Sequence, residues 1–161
     1  MNLTAALLLF SVMVPGFSGS ERNDASIAAA GVCNLVTRQE AAAALGAKVP
    51  VGSEMAWDFP VEQGRSMKAK SCFYGTEVVV TRFELGGSAP TLFGQYRRSL
   101  TAKSDYQNVT GVGDEAFLAK GQLAIRKGQT GLIVDVGQAR GGGARELQKE
   151  KSLGLLAVGR M

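Results

Sequence analysis

Apolar and polar positions change rhythm several times along this chain, and each rhythm predicts an element. From Leu3 to Val14 the residues are almost continuously apolar, and the first charged side chain is Glu21. A run of about a dozen apolar residues has the length of a signal-peptide core and falls short of the roughly 20 that a membrane-spanning helix needs. Pro15, Gly16 and Gly19 interrupt it, and Ser18 and Ser20 supply small residues for cleavage near Glu21, although no Lys or Arg precedes the run. Residues 1–20 are therefore expected to be an export signal and the polar, Ala-rich stretch 21–32 a flexible leader. A single domain, 33–161, follows.

Within that domain Thr37 and Glu40 stand at capping-box spacing, Val36 and Ala41 at the positions of a hydrophobic staple, and Gly46 where a C-terminal cap belongs. A helix is predicted between them. From Lys48 to Lys70 no period is sustained, although Met55, Trp57 and Phe59 alternate with Ala56 and Asp58, so the segment reads as an edge strand or a long loop. Cys72 to Tyr74, a Gly75-Thr76 turn and Glu77 to Leu85 predict a hairpin. In its second arm Val79, Thr81, Phe83 and Leu85 should face the core, with Arg82 and Glu84 outside.

Leu92, Phe93, Tyr96 and Leu100 form a stripe at helical spacing opposite Gln95, Arg97, Arg98 and Lys103, and Pro90 is tolerated in the first turn. Three short strands should follow, Ala116 to Ala119, Gln122 to Arg126 and Gly131 to Val136, spaced so closely that only antiparallel neighbours are possible. Beyond an Arg140-Gly141-Gly142-Gly143 joint, Ala144 to Val158 has helix-forming composition, with Lys151 and Gly154 interrupting its apolar stripe. The order α-β-β-α-β-β-β-α predicts an α+β domain: an antiparallel sheet of about five strands covered by two or three helices.

Composition narrows the chemistry. A length of 161 residues at 45% hydrophobic suits one domain with a real core. There is no histidine, which excludes Ser-His-Asp and Cys-His catalysis and His-ligated metals. Two cysteines, Cys33 and Cys72, are too far apart for a Cys-x-x-Cys motif and too few for a zinc site, and in an oxidising compartment they would pair. Closing a loop of about 40 residues should contribute roughly 4 kcal/mol on the chain-entropy model. Val32 before Cys33, and the distance of Cys33 from the apolar run, argue against a lipid-attachment site. The expected product is exported and soluble, periplasmic, cell-envelope or extracellular, with no transmembrane segment after cleavage.

Candidate sites are few. Gly111-Val112-Gly113-Asp114-Glu115 precedes a strand, so it reads as a tight turn and not as a phosphate-cradling loop. Arg140, Gly142, Gly143 and Arg145 at the start of the last helix are the one place where backbone donors and positive charge could converge on an anion, against a plain hinge. The net charge of +4 is dispersed over Arg65, Lys68, Lys70, Arg97, Arg98, Arg126, Lys127 and the last helix, a pattern of solvated surface and not of a nucleic-acid stripe. Met55, Trp57 and Phe59 are the candidate partner-binding residues, weighed against burial in the core. No catalytic residue, metal site or cofactor motif is assigned. A hydrolase would have to work with Lys, Ser or Asp alone, and no Ser-x-x-Lys with its partner motifs is present.

Cys33-Asn34-Leu35-Val36-Thr37 with Glu40-Ala41 and Leu45-Gly46, then Cys72-Phe73-Tyr74, then Gly111-Val112-Gly113-Asp114-Glu115-Ala116, occur in an order that resembles small exported or lipid-anchored bacterial envelope domains of unknown function. Those are placed with the PsbP-like α+β sandwiches. The resemblance covers Cys33 to Met161 and implies a Cys33–Cys72 pair, an extracytoplasmic location and a PsbP-like sandwich, with no catalytic residues to carry over. The expected function is a non-enzymatic envelope domain that binds a protein or small ligand. The competing expectations are a histidine-free hydrolase and an anion-binding module at Gly141–Gly143.

Overall fold

The structure, a computed structural model, describes residues 31–60, 66–101, 106–137 and 144–161. The expected signal and the leader up to residue 30 lie outside them. A 3-10 turn, Val32–Asn34, opens the described chain and leads to α1 (Arg38–Leu45). Thr37 caps this helix reciprocally: its Oγ1 accepts the Glu40 N–H, and the Glu40 carboxylate accepts the Thr37 N–H at 2.8 Å. Gly46, at φ 75°, closes the helix in the left-handed conformation that glycine adopts at least cost.

Seven strands follow: β1 (Ser53–Pro60), β2 (Ser66–Tyr74), β3 (Val78–Glu84), β4 (Tyr106–Val109), β5 (Glu115–Ala119), β6 (Gln122–Lys127) and β7 (Thr130–Val136). They form one antiparallel sheet in the order β1-β2-β3-β7-β6-β5-β4. The α+β class holds, and the expected count of about five strands is corrected to seven. The two additions are the sheet's edges. An edge strand is paired on one side and partly solvated, so its apolar alternation is faint: in β4 only Val109 is buried. The hairpin is also longer than expected, because β2 starts at Ser66 and Met67, Ala69 and Ser71 alternate inward against Lys68 and Lys70.

Helices cover both faces of the sheet. On one face α1 and α3 (Ala144–Val158) pack over Cys72, Tyr74, Val78, Val80, Leu123, Ile125, Leu132 and Val134. On the other, α2 (Ala89–Thr101) lays Phe93 and Tyr96 over Phe83, Phe117, Ala124 and Ile133. The inner strand β3 is consequently buried on both sides, with Val78 and Val80 under one layer and Thr81 and Phe83 under the other. Expecting a single core-facing side captured Thr81 and Phe83, but Val79 is only half-buried. Gly154 does not weaken α3. It lies buried against the sheet, where a Cβ would stand 2.6 Å from Ile125 Cδ1, so glycine permits the close approach.

The disulfide Cys33–Cys72 is formed and ties the opening turn to β2. Around it the Tyr74 hydroxyl donates to the carbonyls of Val36 and Cys33, and Arg160 donates to Leu35 O at 3.0 Å. Arg160 also places two hydrogen bonds, at 2.6 and 2.7 Å, on Glu40. Chiefly through Arg160, and further through the Thr37 N–H and hydroxyl, the Glu40 pKa is lowered to about 2, desolvation opposing.

A folded-state value below the unfolded one makes this clamp's stabilisation complete above about pH 4.5 and lost as the pH falls toward 2. The pair is well solvated, so screening keeps its contribution small. Arg160→Gln is expected to flatten the loss of stability between those pH values in urea unfolding curves. Wild type and variant losing stability in parallel would refute the assignment.

Candidate functional site

The sheet ends differently at its two edges. β4 spans Tyr106–Val109, too short to template another strand, whereas β1 runs from Ser53 to Pro60 and is paired, among the described residues, only with β2. The register sets Met55, Trp57 and Phe59 opposite Ser71, Ala69 and Met67, on the α2 face. Phe59 is 6% exposed and stacks on Phe83 with ring centroids 5.0 Å apart, so it belongs to the core. Met55 at 52% and Trp57 at 36% are exposed. They form an apolar shelf along the edge.

That shelf is fixed in place. Trp57 Nε1 donates to Ser71 Oγ at 2.8 Å, and Ser71 shares a buried hydrogen bond of 2.8 Å with Thr81 on β3. The indole also meets Phe59 at 5.3 Å. Two hydroxyls in the sheet interior thus have partners while orienting an exposed ring, as a preorganised contact surface requires.

On the reverse face of β1–β3, beyond the cover of α1 and α3, lies a cavity of about 550 Å³. Its charged lining comes from Asp58, Lys68, Lys70, Arg82 and Glu84, which share one face by strand alternation, with Val32 and Ala56 as apolar neighbours. Trp57, Ala69 and Phe83 also border it, but their side chains alternate to the other face, so their main chain forms the floor. Lys68 pairs with Asp58 at 2.6 Å and Arg82 Nη2 with Glu84 at 2.6 Å. Among the described residues that line it there is no serine, threonine, tyrosine or cysteine.

The other sequence candidates fall elsewhere. Arg140, Gly142 and Gly143 lie outside the described residues, and Arg145 is described only as part of the helical backbone. Gly111 and Gly113 adopt φ of 80° and 63° in the turn feeding β5, the role expected of them. Asp114 accepts the Gly128 N–H at 2.7 Å and contacts Lys127 and Arg126, which together hold its pKa below the ordinary value. Glu115 turns toward Arg97 at 2.7 Å. Both carboxylates brace turns and α2, and they do not form a catalytic pair. Among the described residues no group of three or more His, Cys, Asp or Glu is placed to hold a metal, and no helix is long and apolar enough to cross a membrane.

Reasoning from the sequence missed the cavity: Lys68 and Lys70 alternate with Met67, Ala69 and Ser71, and Arg82 with Thr81 and Phe83, but only the β2–β3 register brings the two rows of charge together. No known protein family, curated protein or solved structure matches the chain.

Proposed function

We propose that this chain is an exported, disulfide-stabilised domain of the cell envelope that binds an extended polypeptide partner along β1 and performs no catalysis. The observation that carries the reading is the long edge of β1, open among the described residues, beside the exposed Met55 and Trp57, with the indole held by Ser71. Edge strands left open are usually shortened, bulged or charged, as the four-residue β4 illustrates. β1 carries Glu54, Asp58 and a terminal Pro60, yet it is twice as long as β4 and offers a rigid aromatic anchor beside its backbone, the combination that strand addition uses. A disulfide closing a long loop supports an oxidising compartment, as does the uncharged N-terminal run. Helices on both faces of an antiparallel sheet support, as part of the same proposal, membership of the PsbP-like sandwiches.

A photo-reactive phenylalanine at position 55, introduced into the protein in envelope extract, should cross-link to one discrete partner, while the same group at exposed Leu155 on α3 should not. Met55→Glu should weaken that complex by about tenfold or more, consistent with burying an unpaired charge, and leave stability within about 0.5 kcal/mol. Equal cross-linking from both positions, or a complex indifferent to Met55→Glu, would sink the proposal.

A further inference from the structure

Lys70 on β2 and Arg82 on β3 are directly opposed in the sheet register and point to the same face, into the cavity. Like charges directly opposite each other across strands are destabilising, so two cations held this way call for a neutralising partner. Two of the three cations in the lining have one. Lys68 holds Asp58, and Arg82 Nη2 holds Glu84. Among the described residues Lys70 has no carboxylate partner. The lining therefore sets three cations, Lys68, Lys70 and Arg82, against two acids, Asp58 and Glu84, and Lys70 is the one left over.

We infer that the cavity is a binding site for a small free carboxylate with an apolar tail, its carboxylate held by Lys70 Nζ beside the Arg82 guanidinium. A carboxylate has two acceptor oxygens for two adjacent donors. Its tail would rest on Val32, Ala56 and the alkyl stems of the basic side chains, which bury carbon while keeping charge at their tips. The volume of about 550 Å³ lies in the range of small-ligand sites. This site is on the opposite face of the strands from Met55 and Trp57 and is independent of the edge proposed for polypeptide binding.

The test is calorimetric titration of the intact, oxidised protein with octanoate, with octylammonium, acetate and phosphatidylglycerol vesicles as comparisons. Octanoate should bind saturably at one site per chain. Octylammonium, with the tail but the opposite charge, and acetate, with the charge but no tail, should each bind at least tenfold more weakly. Lys70→Gln, at an exposed and unpaired position, should melt at or slightly above wild type, since it relieves the repulsion with Arg82, and bind octanoate about tenfold more weakly, the loss expected of one charge-assisted hydrogen bond. Arg82→Gln removes the opposed cation and should weaken binding similarly, whereas Arg82→Lys keeps the charge and should retain most of it. Met55→Glu should leave octanoate binding intact, so this site and the β1 edge fail or stand separately. Octanoate failing to bind, octylammonium binding equally, or Lys70→Gln having no effect would overturn the inference. Retention on phosphatidylglycerol vesicles without octanoate binding would overturn it too, reassigning the cations to a membrane surface.

Discussion

Replacing Cys33 and Cys72 together by alanine is expected to lower the free energy of unfolding by about 4 kcal/mol. The bond spans a sequence separation of 39, and opening that loop releases the unfolded chain from a long constraint. In the folded state Cys72 is wholly buried in the α1/α3 core, and the turn it anchors carries Val32, Leu35 and Val36, all of them core residues. The backbone leaves little slack: a Cβ at Gly52 would lie 2.7 Å from Cys72 Sγ and 3.0 Å from Cys33 Sγ. Urea unfolding of the oxidised protein and the double variant measures the effect, and the variant's m value should rise as its unfolded ensemble expands. The oxidised protein, denatured without reductant, should show no reactive thiol. A stability difference below about 1 kcal/mol would mean that the contacts of Tyr74 and Arg160 hold the opening turn without the bond.

The bond and the capping box that follows it were legible because both are local or enumerable. Two cysteines allow one intramolecular pairing, and Thr37, Glu40 and Gly46 specify a helix by short-range chemistry alone. The stripe of Phe93 and Tyr96 likewise announces α2, because a helix covering a sheet buries one face. The edges were not legible in this way. Tyr106, Gln107 and Asn108 are exposed in β4, and what makes them a strand is the partner β5, which the local sequence does not encode. β1 showed its alternation at Met55, Trp57 and Phe59, but whether those side chains face solvent or core depends on α2 reaching Phe59 and stopping short of Met55.

The cavity was least legible. Lys68, Lys70 and Arg82 read as scattered surface charges until register sets them on adjacent strands of one face. Long-range pairing creates that site, and no window along the chain contains it.

Phe83→Ala is expected to cost about 3–5 kcal/mol, the range for removing a buried aromatic ring. Phe83 is wholly buried, lies parallel to Phe59 at 5.0 Å and meets Tyr96 edge-on at 6.1 Å, so one ring joins the edge strand, the inner sheet and α2. Its position depends on a residue that is nearly absent. Gly131 is the register partner of Phe83 on β7, and a Cβ there would stand 2.2 Å from Cε2 and 2.3 Å from Cζ of the ring. No positive φ demands glycine at 131, so its role is steric: the ring occupies the space where a side chain would be. Gly131→Ala alone should therefore be destabilising by about 1–3 kcal/mol through overpacking. The double variant Phe83→Ala with Gly131→Ala removes the clash along with the ring and fills part of the void. Its loss should be smaller than the sum of the single losses by about 1 kcal/mol or more, the coupling expected of residues in direct contact. Additivity within about 0.5 kcal/mol would show that Gly131 is not shaped around Phe83. Because Phe59 supports Trp57 at 5.3 Å, partner cross-linking through position 55 should weaken in Phe83→Ala and recover in the double variant only as far as the stacking does.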